Sequence, residues 1–299
     1  MKKILCIGSA CYDISLLSDG YPIENRKYRI EEKVESGGGP AASAAYLLGK
    51  WNANVYFAGT VGNDTFGKKI EREFKSVNVN TEFLDVDEKN DTTFASIIIN
   101  KKTGTRTVLA YREPNLEYKK EINEKFDLIL IDGQEYETSK KAIENNPDAI
   151  TVIDAGRAVE NVINLCKIVD YVVCSKDFAE GYTNMKLNIN DKKSISNVYN
   201  KMENDFKNVV ITLEDKGALY KKDNELFIMP SIKVKQVDST GAGDYFHGAF
   251  VYGLSKEYSI DKIVRISNLA GALSVTKVGA RQSCPSLEEM IEKYNDNWL

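Results

Sequence analysis

A chain of 299 residues is long for one simple domain and short for two full ones; with 42% hydrophobic and 28% charged residues, it is neither a disordered nor a fibrous chain. Forty basic against 44 acidic residues leave a formal charge of -4, which recruits neither nucleic acid nor an anionic membrane. No stretch approaches the ~18 apolar residues that a membrane span needs.

The start, Lys2-Lys3 followed by Ile4-Leu5-Cys6-Ile7, has the outline of a signal peptide, but charge arrives at Asp13, so the run reads as a buried first strand, Ile4–Gly8. Ile7-Gly8-Ser9-Ala10-Cys11 lacks the second and third glycines of a dinucleotide fingerprint. Residues 12–34 contain alternating segments such as Lys27-Tyr28-Arg29-Ile30. A helix is expected over 40–50 and a strand over Val55–Ala58. Gly62-Asn63-Asp64-Thr65-Phe66-Gly67-Lys68 has P-loop spacing, but Lys69 stands where the Mg²⁺-binding hydroxyl belongs. It reads instead as a turn into a helix over 66–76.

Thr93–Asn100 and Thr105–Tyr111, joined by Lys101-Lys102-Thr103-Gly104, read as a hairpin. Leu128–Ile131, Ile150–Ile153, Tyr171–Val173 and Val209–Thr212 are short apolar, β-branched runs, with helical stretches at 137–145, 159–167 and 192–204 between them. The last third, 243–294, is largely helical, with a loop near Gly279–Pro285. The alternation predicts an α/β fold, a mostly parallel sheet flanked by helices. The half-polar strands within 12–34 and 92–112 predict a small antiparallel sheet attached to it as a lid. The whole of 1–299 is expected to form one domain.

The single histidine, His247, excludes zinc sites built on several imidazoles and leaves a carboxylate as the expected proton acceptor. The five cysteines, Cys6, Cys11, Cys166, Cys174 and Cys284, have no CxxC spacing, which fits a reducing compartment, the cytoplasm. Chemistry concentrates in Asp238-Ser239-Thr240-Gly241-Ala242-Gly243-Asp244. Phe246, Ala249, Phe250 and Leu254 recur at helical spacing, so a helix is expected to begin near Gly243. Its first turn would present unpaired N–H groups and a positive dipole end to an anion, and small residues would allow close approach. Asp244, at the same helix start, can accept a hydroxyl proton as a bond to phosphorus forms. The plainer reading is a capping aspartate after a glycine-rich turn.

Asp-x-Thr-Gly-Ala-Gly-Asp followed by Gly248-Ala249 resembles the C-terminal signature of the ribokinase-like (PfkB) carbohydrate kinases. Gly37-Gly38-Gly39-Pro40-Ala41-Ala42-Ser43-Ala44-Ala45 resembles their N-terminal signature, and Gly59–Gly67, Thr212–Gly217 and Thr276–Ser283 follow in the family's order. The resemblance spans nearly the whole chain. It implies an ATP-dependent sugar kinase phosphorylating a CH₂OH, with Asp244 as base and Gly241, Ala242 and Gly243 as anion hole. It implies sugar contacts from Asp13, Gly38, Gly39, Ser43 and, on the lid, Arg106. Thr212, Gly217 and Asn268 match nucleotide positions, Asn268 lying in the apolar helix Ile263–Val275. Asp238, Thr240, Gly279 and Ser283 match loops that bind a monovalent cation, K⁺ in many members.

Ser43 stands where many members have Asn. Cys174-Ser175-Lys176-Asp177-Phe178 replaces an Asn-x-x-Glu motif, so Mg²⁺ would be held mainly by phosphates and water, with Asp177 or Glu180 in reach. Glu214 replaces a glycine of the nucleotide loop. These departures resemble the ketohexokinase and sulfofructose-kinase-like branch and point to a furanose or ketohexose, ribose or fructose-like. A sulfonate or phosphate on the sugar would draw on Arg106, Arg112 or Arg281. The alternatives are a nucleoside kinase of the same fold and an inactive sugar- or nucleotide-binding regulator. Exposed, half-apolar lid strands predict a homodimer through residues near 12–34 and 92–112.

Overall fold

Ile4, Leu5, Cys6 and Ile7 are fully buried, so the first apolar run becomes an interior strand. In the computed structural model, which describes residues 1–294, that strand is β1 (Lys3–Ile7). It is followed by β2 (Cys11–Ser18), β3 (Glu32–Gly38), α1 (Pro40–Lys50), β4 (Asn54–Gly62), α2 (Thr65–Ser76) and β5 (Leu84–Asp87). Next come β6 (Phe94–Asn100), β7 (Arg106–Tyr111), β8 (Leu128–Ile131), α3 (Tyr136–Asn145), β9 (Ile150–Ala155) and α4 (Glu160–Cys166). Then follow β10 (Tyr171–Ser175), α5 (Lys176–Thr183), α6 (Lys192–Glu203), β11 (Asn208–Thr212), β12 (Ala218–Lys222) and β13 (Glu225–Met229). The chain continues through α7 (Ala242–Ser255), α8 (Ile260–Ser274), α9 (Ala280–Ser283) and α10 (Leu287–Tyr294).

Nine strands form one sheet in the order β13-β12-β11-β10-β9-β8-β1-β4-β5, parallel except for β12 and β13. This is the expected α/β core, a mostly parallel sheet flanked by helices. β1 lies between β4 and β8, so the chain leaves it in both directions, and the ends of β1 and β8 open a crevice there. Gly8 is required at this point, because a Cβ there would lie 2.2 Å from the Asp132 carboxylate. Asp132 in turn accepts from Ser9 N at 2.9 Å and Ala41 N at 3.2 Å, tying the ends of β1 and β8 to the start of α1.

The second sheet runs β3-β2-β6-β7. Its outer pairings are antiparallel, as expected of the lid; the inner pairing, β2 with β6, is parallel. Ala95, Ile97 and Ile99 of β6 are buried with Cys11, while every residue of β7 is exposed. Lys27–Ile30 forms no strand: residues 21–29 are all exposed, so their alternation has no face to bury, and pairing starts at Glu32. The tip of the β6–β7 hairpin touches the main body, where Gln236 donates to Gly104 O at 3.1 Å.

The β12–β13 hairpin went unread in the sequence although it carries a clear signal. Asp223 and Asn224 both have positive φ, 49° and 64°, as a two-residue primed turn requires.

Candidate active site

The helix expected near Gly243 starts at Ala242, and Gly241 before it adopts φ 82°, a left-handed conformation that favours glycine. No side chain caps the helix. A Cβ at Gly243 would meet nothing within 4 Å, so the backbone there faces open space. The first turn therefore offers N–H groups and a dipole end that no side chain of the protein claims, and an anion fits there. Asp244 follows in that turn, half-buried.

Asp13 lies on β2 opposite Ser36 of β3, and Gly38 is bare because a Cβ there would sit 2.1 Å from an Asp13 oxygen. Gly39 has φ 97°, and a Cβ on it would come within 2.2 Å of Ser9 O. The sugar-loop glycines thus make room for a carboxylate and for the neighbouring strand end. Cys11 Sγ donates to Asp13 at 3.4 Å. Burial pushes the Asp13 carboxyl up to about 6; the Cys11 hydrogen bond, Arg281 and Arg106 oppose this, and the Asp244 charge adds to it. Asp13 and Asp244, far apart in sequence, therefore lie close enough for the charge of one to act on the other. Ser43 is fully buried in α1, with its Oγ unpartnered.

Arg106 reaches from the hairpin to Ser239, whose Oγ accepts its Nη1 hydrogen at 2.5 Å. Arg112 pairs with Glu135 at 2.9 Å. Arg281 is buried, stacks on Tyr46 at 4.5 Å, bonds Glu73 at 3.3 Å and donates to Ala42 O at 3.2 Å.

Asp238 is buried and clasps two loops. One oxygen accepts from Thr240 N at 2.9 Å and Thr240 Oγ1 at 2.7 Å, the other from Gly279 N at 2.9 Å. Ser283, at the end of α9, donates to Ala280 O at 3.0 Å. Gly217 and Asn268 meet at the end of β13: a Cβ on Gly217 would collide with Met229 O, and Asn268 donates to the same oxygen at 3.0 Å. Thr212 donates to Cys174 O at 3.3 Å.

Among the described residues no cluster of three or more His, Cys, Asp or Glu could hold a metal ion. Glu180 is already committed to Lys186 at 2.7 Å and Leu187 N at 2.9 Å, whereas no such pairing binds Asp177. Two acids at the strand ends were not anticipated. Burial pushes Asp132 up to about 7 against hydrogen bonds from Gln134, Ser9 and Ala41. Burial likewise pushes Asp154 up to about 6, against the pull of His247. The signal available in the sequence was position: each carboxylate sits at or just after the end of a buried parallel strand, where this class of sheet places its sites.

The profile described as pfkB family carbohydrate kinase matches residues 1–287. A ribokinase of Lactococcus lactis is 27% identical over 99% of this chain and 98% of its own length. A deoxyribokinase of Salmonella typhi is 25% identical over 97% of each chain. The crystal structure of a ribokinase from Thermotoga maritima superposes with a TM-score of 0.83 at 25% identity, over 99% of this chain and all of the other.

Proposed function

This chain belongs to the pfkB family of carbohydrate kinases, and on that premise we propose that it transfers the γ-phosphoryl group of ATP to a primary hydroxyl of a neutral furanose, ribose or a fructose-like ketohexose. The observation carrying the reading is the uncapped start of α7, open at Gly243, with Asp244 in its first turn and its charge within range of Asp13. Asp13, with Gly38 and Gly39, holds the sugar, and the fully buried Ser43, whose amide donates to Gly39 O at 2.8 Å, supports that loop from within. The amides of Gly241, Ala242 and Gly243 face the phosphoryl oxygens, where charge spreads as the transfer proceeds. The sugar oxygen bonds to phosphorus as the β–γ bridge breaks, and its proton passes to Asp244, while ADP leaves with the bridging electrons. An aspartate is too weak a base to remove that proton in advance, so its task is orientation and acceptance in the transition state.

The neutral substrate rests on the relatives rather than on the arginines: Arg112 and Arg281 are paired with Glu135 and Glu73, but Arg106 bonds only the uncharged Ser239 hydroxyl. The ribokinase and deoxyribokinase relatives support the pentose end of the range. Thr212, Gly217 and Asn268 border the nucleotide. Asn268 acts indirectly, because its amide is bonded to Met229 O and shapes the wall. Mg²⁺ would be held mainly by the phosphates and water, with Asp177 as the candidate protein ligand. A monovalent cation, K⁺, would draw on the loops that Asp238 clasps, through Asp238, Thr240, Gly279 and Ser283.

We place residues 1–299 in one kinase domain with the lid inserted, and the protein in the cytoplasm, a location supported by five buried, unbridged cysteines. Val108, Leu109 and Tyr111 are about half exposed on the β7 edge, and Ile23 and Tyr28 nearby likewise, which supports a homodimer through the lid. Monomers in light scattering at micromolar concentration would remove that part.

The test is ADP release with ribose, 2-deoxyribose, fructose, fructose 6-phosphate, adenosine and inosine. Turnover is expected with a neutral furanose. A preference for a nucleoside or a sugar phosphate would overturn the substrate, and binding without turnover would favour a regulator. Asp244→Asn should lower kcat about 10³-fold with a folded structure retained; undiminished turnover would reject the assigned base.

A further inference from the structure

We infer that His247 and Asp154 form a buried imidazolium–carboxylate pair that positions the first turn of α7. Its geometry stands alone; its consequence for phosphoryl transfer rests on the kinase reading above.

His247 is 3% exposed. Its Nδ1 lies 2.6 Å from Gly243 O and 3.1 Å from an Asp154 oxygen, and its Nε2 lies 3.0 Å from Val173 O. All three neighbours are hydrogen-bond acceptors. A neutral imidazole has one N–H, so whichever nitrogen lacked its hydrogen would face an oxygen lone pair inside the protein. A hydrogen on each nitrogen satisfies every contact, and Asp154 supplies the balancing charge. Asp154 and Val173 are direct neighbours across β9 and β10, so one ring bonds both strands and the helix at once. The other ionisable groups around the pair are Asp244 on α7, Asp132 after β8 and the Cys174 thiol of β10.

Two effects follow for the site. Gly243 belongs to the anion cradle, and the ring holds its carbonyl from one turn ahead, fixing the peptide unit that joins Gly243 to Asp244 directly after the cradle amides. Burial and the Asp244 charge both push the Asp154 carboxyl upward, while His247 pulls it down. Without the ring nothing offsets burial and the Asp244 charge, so the Asp154 carboxyl would be driven further up and left as an unpaired buried acid beside the start of α7. His247 is thus a positioning residue: it touches neither substrate.

The pair is checked first on the wild-type protein labelled with ¹⁵N-histidine. With only one histidine in the chain, the imidazole spectrum is unambiguous. Two slowly exchanging ring N–H signals at pH 7 are expected. A single ring proton would overturn the pair. This measurement requires no turnover, so it separates failure of this inference from failure of the kinase reading.

Kinetics then tests the consequence. His247→Phe should lower kcat about 10²-fold and raise KM for ATP, with KM for the sugar changed less than about twofold. Adding Asp154→Asn replaces the unpaired carboxyl by a neutral amide and should recover at least about tenfold in kcat. Losses that simply multiply in the double variant, or a rise confined to the sugar KM, would overturn it. Should His247→Phe fail to fold, the same rescue is read from recovery of soluble, cooperatively melting protein in the double variant; its absence counts against the pair.

Discussion

Two helices of this chain begin after a glycine-bearing turn, and they treat their first N–H groups in opposite ways. At α2 the aspartate stands before the helix. Asp64 accepts from Gly67 N at 2.7 Å, from Thr92 Oγ1 at 2.8 Å and, through its other oxygen, from Thr92 N at 2.8 Å. Burial raises its carboxyl, but these bonds outweigh it and hold the group below the usual range. At α7 glycine occupies the cap and the aspartate sits inside the first turn, where it leaves the cradle unclaimed. The segment with P-loop spacing is therefore a closed, self-satisfied turn, and the segment without it is the open one. What separates the two starts is where the carboxylate stands, not how many glycines surround it.

The sharpest way to break the comparison is to graft one start onto the other. Gly241→Asp puts a capping carboxylate where α7 has none and forces a side chain into φ 82°. Turnover should fall about 10²–10³-fold, read as kcat on protein whose circular dichroism is unchanged. A variant that keeps its rate would mean the open start is not where phosphate binds.

The second test uses pH. The backbone cradle has no titrating group, whereas the sugar side depends on Asp13, whose carboxyl burial pushes up to about 6. It accepts sugar hydroxyl hydrogens only as the carboxylate. Activity with the sugar should thus be flat above about 6 and fall about tenfold per pH unit below it, measured as kcat/KM for the sugar. For stability the sign is reversed: the raised group favours the folded state below its unfolded value of 3.8 and loses that contribution as pH rises through about 6. A sugar kcat/KM that is constant from pH 7 to 5 would detach Asp13 from the substrate.

Asp64→Ala opens the α2 start and should cost about 1 kcal/mol, seen as a lower denaturation midpoint, with kcat unchanged. A large loss of kcat would show that the α2 turn takes part in the reaction. The smallest effect belongs to Glu214→Gly. Glu214 sits at φ 55°, where a glycine is unstrained, so the substitution should stabilise by about 0.5 kcal/mol in a chemical melt. Destabilisation would mean that its side chain makes contacts that outweigh the strain.

Legibility followed local physics. The short apolar runs at 128–131 and 209–212 became buried strands because they have few other ways to hide β-branched side chains. The start of α7 was readable within one residue, since glycine, small residues and an apolar helical stripe all agree there. Lys27–Ile30 misled because alternation marks a strand only when a partner and an apolar face exist. Asn268 was suggestive as a polar residue in an apolar helix, but its bond to Met229 O depends on a hairpin that the reading had not placed.

By itself the sequence determined the parallel core and the start of α7 that carries the proposed cradle and base, because each depends on residues close together along the chain. Only the tertiary structure decided that Asp13 comes within range of the Asp244 charge, that Arg112 and Arg281 are paired with Glu135 and Glu73, and that His247 lies between Asp154, Gly243 and Val173. These are contacts across strands and loops far apart in the chain, set by sheet order and burial, and no local pattern of residue types encodes them.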